Sequence, residues 1–175
     1  MPESSTSLDT LPSFPTKMWG NMEARFFAYG TPLPSDVPIT AGLVFAMREG
    51  CFLLADIEGR GWCTLGGHLE QGESVEEAVR REAFEEGGAT LDTLHPLGAY
   101  LFYWIETGRH TLVSVFWAEV LTTASLPTGT ESRGTAWVSR AELPMRYFYW
   151  DELMEAVFDY AVHCSSSRNL TSDYS

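Results

Sequence analysis

The chain has 175 residues, of which 45% are apolar and 20% charged; this fits one domain with a full core and excludes wholesale disorder. Its 24 acidic residues outweigh 11 basic ones for a formal charge of −13, which argues against a long nucleic-acid partner, since those are held by Lys and Arg on phosphates. Cys51, Cys63 and Cys164 have no disulfide or zinc spacing and read as reduced thiols of a cytoplasmic protein, and no apolar run is long enough to imply a membrane partner.

Residues 1–17 are rich in Ser, Thr and Pro and are expected as a mobile arm, with Leu11 and Phe14 as side chains able to dock. One domain is expected over 18–164, followed by a flexible tail over 165–175, where Ser165 to Ser167 should fray. The aromatic stretch 19–29, cut short by Pro32, Pro34 and Pro38, predicts a short edge strand or a covering loop. Residues 41–47 and 51–55 are apolar runs around a turn at Arg48-Glu49-Gly50, and predict a hairpin. A loop rich in glycine and acids fills 56–67. The segment 74–86 predicts a helix. Residues 94–105 and 110–121 predict a second hairpin about Thr107-Gly108, and 136–138 a short strand. At the end, Leu153, Met154, Val157, Phe158 and Ala161 recur at helical spacing and predict a helix over 150–163. Strands on both sides of a central helix, with another helix after them, predict an α/β fold with a mixed sheet between helices.

The central helix carries the chemistry. Ser74 and Glu77 form a capping box, so the helix should start at Val75; Gly87 and Gly88 supply its stop. Glu76–Arg80 and Glu77–Arg81 are spaced as supporting ion pairs. Glu82, Glu85 and Glu86 share one face near the C-terminal end, where both mutual repulsion and the helix dipole disfavour them. A divalent cation such as Mg²⁺ resolves that conflict, since it takes oxygen ligands and bridges carboxylates to phosphates. A solvated acidic face is the plain alternative. Gly66, Gly67 and Gly72 precede the helix and allow close backbone approach to a ligand, and Glu73 stands at the junction.

The segment 67–89 resembles the Nudix box. Gly67, Glu73, Arg81, Glu82, Glu85, Glu86 and Gly88 occupy its fixed positions, while Ala83 and Ala89 are smaller than the usual aliphatic residues. The flanking strand order also resembles the family's α/β/α sandwich with a mixed sheet. The resemblance implies a Mg²⁺-dependent (or Mn²⁺-dependent) hydrolase that cuts a diphosphate linkage in a small nucleotide substrate. Glu82, Glu85 and Glu86 would hold the metal with a backbone carbonyl of Gly66 or Gly67. Glu73 would orient the site and Arg81 would position a carboxylate through a bidentate contact.

Relatives often add an acid from outside the box. Glu131, six residues before Trp137, is the candidate, ahead of Glu106 and Glu119. His68 and Tyr103 are candidate substrate contacts, as are other aromatics among Phe102, Trp104, Phe116 and Trp117. The cluster from Tyr147 to Trp150 reads either as a lid over a substrate or as a homodimer contact. Marks of the ADP-ribose, dinucleoside polyphosphate, coenzyme A and NADH subgroups are weak or absent, which leaves a MutT-type or general nucleotide diphosphatase. Two other readings stand beside it: a non-catalytic nucleotide-sensing Nudix module, which would usually lack some of the box carboxylates, and an isopentenyl-diphosphate isomerase, which would need a reactive Cys and further His ligands.

Overall fold

The computed structural model describes residues 12–172, with side-chain surroundings through residue 167. In chain order the elements are β1 (Lys17–Trp19), β2 (Met22–Ala28), β3 (Ile39–Arg48), β4 (Cys51–Ile57), β5 (Gly61–Cys63), β6 (Leu65–His68), α1 (Val75–Gly87), β7 (Ala89–Leu91), β8 (His95–Trp104), β9 (Arg109–Thr123), β10 (Ser132–Ser139), α2 (Leu143–Arg146) and α3 (Glu152–Ser172).

The main sheet runs β1-β2-β8-β9-β3-β4-β10, with β5 on β4 and β6 on β3. Neighbours pair antiparallel except β3 and β9, which are parallel, so the sheet is mixed. Both predicted hairpins form: Arg48 pairs with Cys51, and Trp104 with Arg109.

Alternation along β3 divides the core. Val44 and Ala46 join Leu53, Ala55, Phe116 and Ala118 beneath Val79 and Ala83 of α1. Phe45 and Met47 point the other way, joining Phe52, Leu54 and Val115 against Leu153, Val157 and Phe158 of α3. Each Val, Leu, Phe or Met side chain buried this fully contributes about 1.5–3 kcal/mol. Phe158 is the centre of the second layer, with ring centroids 4.7 Å from Phe45 and 5.0 Å from Phe52. The result is an α/β/α sandwich.

Several boundaries differ from the sequence reading, among them the following. The segment 56–67 contains β5 and β6; Gly66 and Gly67 let the chain lie along β3, where side chains would collide with Leu43 and Glu82. Helix α3 starts at Glu152, because the Asp151 carboxylate accepts from the Met154 N–H at 2.9 Å and caps it. It also continues past His163 through the run expected to fray, and the Ser165 hydroxyl donates to the Val162 carbonyl at 2.9 Å. At the other end, Phe14 docks edge-on against Phe26 at 4.8 Å, and Lys17 already belongs to β1. Leu11 lies outside the described residues.

Candidate active site

Helix α1 is held at both ends. Ser74 accepts from the Glu77 N–H at 3.2 Å while Glu77 accepts from the Ser74 N–H at 2.8 Å, and Gly88 ends the helix in the left-handed conformation. Its buried Val79 and Ala83 clamp it to the sheet. The three acids at 82, 85 and 86 are therefore presented by a rigid element.

Arg81 ties these acids to the preceding loop. Its Nε and Nη2 donate to the two oxygens of Glu73 at 2.8 and 3.0 Å. Nη1 donates to Glu82 at 2.8 Å and Glu85 at 3.2 Å, and Nη2 also reaches the His68 carbonyl at 3.1 Å. These hydrogen bonds, with that from the Glu70 N–H, hold the Glu73 carboxyl below its usual range. The pairs expected along the helix give way to this arrangement: Glu77 is engaged by the cap, and Arg80 donates to the Leu91 and Asp92 carbonyls at 2.8 and 2.9 Å. Fixed carbonyls and a bidentate carboxylate offer the guanidinium groups better partners than a flexible neighbour one turn away.

Glu86 is buried and accepts from the Gly66 N–H at 3.0 Å. Burial pushes its carboxyl up to about 7, opposed by that hydrogen bond, with repulsion from Glu82 and Glu131 adding to the rise and Arg60 opposing it. Gly67 presses against the Glu82 carboxylate, so closely that a β-carbon there would overlap Oε1.

Glu82, Glu85 and Glu86 line a cleft of about 400 Å³ whose opposite wall is residues 127–131. Glu131 thus faces the helix acids, fixed at its backbone by a 3.0 Å hydrogen bond from the Glu58 N–H to its carbonyl. The rival acids lie elsewhere: Glu106 is exposed in the turn between β8 and β9, and Glu119 is on β9, where partial burial raises its pKa. The cleft is lined by four glutamates and two threonines beside Pro127 and Gly129, and oxygen donors of this kind suit a hard divalent cation. No three acidic, His or Cys side chains among the described residues already converge on one metal-sized point. That agrees with the repulsion among them and with Arg81 drawing Glu82 and Glu85 to itself. Mg²⁺ commonly needs only one or two carboxylates beside water and phosphate oxygens. The residues fit such an ion.

His68 and Tyr103 are not brought into this cleft. His68 ends β6 and lines a neighbouring groove; Tyr103, on the other face of β8, lies against His110 at 4.8 Å between ring centroids. Strand alternation separates the remaining aromatics in the same way, leaving Phe116 and Trp117 buried in the two core layers.

A second cavity, of about 140 Å³, opens on the α3 side of the sheet. Trp19, Phe102, Tyr147, Phe148 and Tyr149 surround it, with Thr64 and Arg60 on one wall. Trp19 is anchored by its indole N–H to Asp151 at 2.7 Å, and Tyr147 by its hydroxyl to Thr64 at 3.1 Å. Arg60 belongs to this cavity, and its charge acts on Glu86 of the acidic cleft.

A NUDIX domain family profile matches residues 37–158. The chain belongs to the Nudix hydrolase family. Over 117 residues it is 30% identical to an oxidized purine nucleoside triphosphate hydrolase of Danio rerio, covering 64% of this chain and 73% of that one. It is 29% identical over 91 residues to the Mus musculus protein of the same description, covering 52% and 57%. Among solved structures, the Bacillus subtilis pyrophosphohydrolase BsRppH superposes with a TM-score of 0.67 at 22% identity, over 84% of this chain and 92% of that one, which supports the fold. Nudix hydrolases generally use divalent metal ions, in keeping with the oxygen donors of the cleft.

Several residues of this Nudix site have no box position. The wall at 127–130 has no motif, and its residues read as ordinary turn formers. Arg60 stands between Gly59 and Gly61, both at positive φ, a sign of a sharp turn presenting a cation. Trp19 comes from a segment read as a short edge strand or a covering loop, and its place in the cavity depends on β2 pairing with β8.

Proposed function

We propose that this Nudix hydrolase cuts a diphosphate linkage in a nucleoside triphosphate or related nucleotide, with Mg²⁺ (or Mn²⁺) at the acidic cleft and the base in the aromatic cavity. The observation that carries this reading is that one short segment touches both sites: Thr64 lines the cavity, and two residues on the Gly66 N–H donates to Glu86 of the cleft at 3.0 Å. A nucleotide has both parts: a planar base that stacks on aromatic rings, and a phosphate chain that needs positive charge.

Glu82, Glu85 and Glu86 would hold the metal with a carbonyl of the Gly66-Gly67 loop. When bound, the ion supplies charge neutralisation of the diphosphate, polarisation of the attacked phosphorus and acidification of water. The protein's own groups do the rest. Glu131, across the cleft, accepts the proton of the attacking water. Arg81 and Glu73 hold Glu82 and Glu85 in position. Arg60, on the wall of the aromatic cavity, meets the phosphate chain. The relatives described as oxidized purine nucleoside triphosphate hydrolases support a purine nucleoside triphosphate as the first substrate to try.

The test is incubation with ordinary and oxidised nucleoside triphosphates, ADP-ribose, dinucleoside polyphosphates and nucleotide sugars, with Mg²⁺ or EDTA, and separation of products by chromatography. Metal-dependent cleavage of a nucleotide is expected. Tight nucleotide binding without turnover of any would instead make the chain a sensing module.

A further inference from the structure

We infer that Tyr147 is a positioning residue for the helix acids: through Thr64 its hydroxyl sets the Gly66-Gly67 segment against Glu86 and Glu82, and this rests on the hydrolase reading above. Thr64 stands where the chain changes partner strands. Cys63 before it pairs with Ala55 of β4, Leu65 after it pairs with Val44 of β3, and Thr64 itself belongs to neither β5 nor β6. It is buried, and what holds it is Tyr147. The Thr64 N–H donates to the Tyr147 hydroxyl over a long 3.5 Å, and the two hydroxyls share a hydrogen bond of 3.1 Å.

The neighbours of Tyr147 reinforce this hold. The Phe148 N–H donates to the Trp62 carbonyl at 2.9 Å, and the Arg146 guanidinium lies over the Trp62 ring, 4.7 Å from its centroid. Three consecutive residues ahead of α3 thus grip the chain at 62–64. Beyond that grip the chain meets the acids. The Gly66 N–H donates to the buried Glu86 at 3.0 Å, and Gly67 abuts the Glu82 carboxylate. Neither glycine has a side chain to anchor it, so the pair is placed by its ladder with β3 and by its entry from Thr64. Only two residues of strand, about 7 Å, separate the Tyr147 bond from the Glu86 bond.

Tyr147 also lines the aromatic cavity, beside Phe148 and Tyr149. One side chain therefore has its ring in the cavity wall and its hydroxyl on the segment that leads to the cleft. Substitution can separate the two parts. Tyr147→Phe keeps the ring and removes the hold on Thr64. Thr64→Val keeps the shape at 64 and removes the same bond from the other side, and Thr64→Ser keeps the hydroxyl.

The test is calorimetric binding of Mn²⁺ to the full chain without nucleotide, in the parent and these three variants, beside Mg²⁺ titrations of nucleotide hydrolysis and circular dichroism. Tyr147→Phe and Thr64→Val are each expected to bind Mn²⁺ about tenfold more weakly, the scale of losing a group that orients metal ligands. Both should need correspondingly more Mg²⁺ for half-maximal turnover. Thr64→Ser should stay close to the parent in Mn²⁺ affinity. The double variant Tyr147→Phe, Thr64→Val should bind no more weakly than either single one, because both remove one shared bond. A purely structural role would lower the unfolding midpoint and leave the affinity of the folded variants unmoved. Equal affinities in the parent, Tyr147→Phe and Thr64→Val therefore overturn the positioning role, as does a Ser variant as weak as the Val one. The expected losses of affinity, found beside a parent that cleaves no nucleotide, would count against the hydrolase reading alone. A parent that binds no Mn²⁺ would overturn both.

Discussion

Arg81 grips Glu73 through two parallel hydrogen bonds, at 2.8 and 3.0 Å, and reaches Glu82 with its third nitrogen at 2.8 Å. One planar side chain thereby locks the glycine loop to the acidic helix. A lysine keeps the charge but has no fork to span both partners. Arg81→Lys is expected to lower turnover by about 10- to 100-fold, the usual cost of losing a group that orients metal ligands. Steady-state kinetics beside thermal unfolding checks this. Turnover within a factor of two of the parent would make the contact ornamental.

Gly67 is required for a different reason. Its missing side chain is the space that the Glu82 carboxylate occupies. In Gly67→Ala the obstacle is the end of a flexible side chain, so the fold should survive while the carboxylate is displaced. About a 10²-fold loss of activity is expected, as for a displacement near 1 Å at a reacting centre. An alanine variant with normal activity would show that Glu82 works from another position.

Glu86 makes stability depend on pH. Its carboxyl is raised by burial to about 7 in the fold, from an ordinary value of 4.5. The fold therefore binds the proton more tightly than the unfolded chain does. That contribution is fully present below about 4.5 and is lost as pH rises through about 7. In EDTA the unfolding midpoint should fall by a few degrees between pH 5 and pH 8, on the scale of about 2–4 °C per kcal/mol for this size. Glu86→Gln should remove most of that slope. Mg²⁺ should reduce it by favouring the carboxylate. A slope identical in the parent and the Gln variant would place the titration elsewhere.

Glu131 faces the helix acids from a loop with no box position. As proton acceptor it should matter by about 10²-fold or more. The check is single-turnover hydrolysis by Glu131→Gln across pH 6–9. A loss smaller than a few fold, with an unchanged pH profile, would make it only part of the wall.

What could be read from the sequence was whatever local spacing decides. The Ser74–Glu77 cap, the glycine stop at 88 and the shared face of Glu82, Glu85 and Glu86 follow from helical geometry alone, and the structure has all three. The partners of Arg80 and Arg81 did not follow, because the choice between a neighbour one turn away and a distant carbonyl or carboxylate depends on the tertiary fold. Residues 56–67 looked like loop because their glycines hide strand character that only the pairing of β6 with β3 reveals. The aromatic cavity was legible only in part: Phe102 and the cluster from Tyr147 to Trp150 read as candidates for covering a substrate, but that they meet one another and Trp19 depends on the pairing of β2 with β8 and the return of the chain before α3.

The most direct test of metal-dependent hydrolysis at the helix acids is the Mg²⁺ dependence of nucleotide cleavage in the parent beside Glu85→Gln and Glu86→Gln, with circular dichroism to confirm folding. Expected are turnover with Mg²⁺ and none with EDTA in the parent, and background rates in both folded variants. Near-normal turnover in both variants, or undiminished turnover in EDTA, would contradict it.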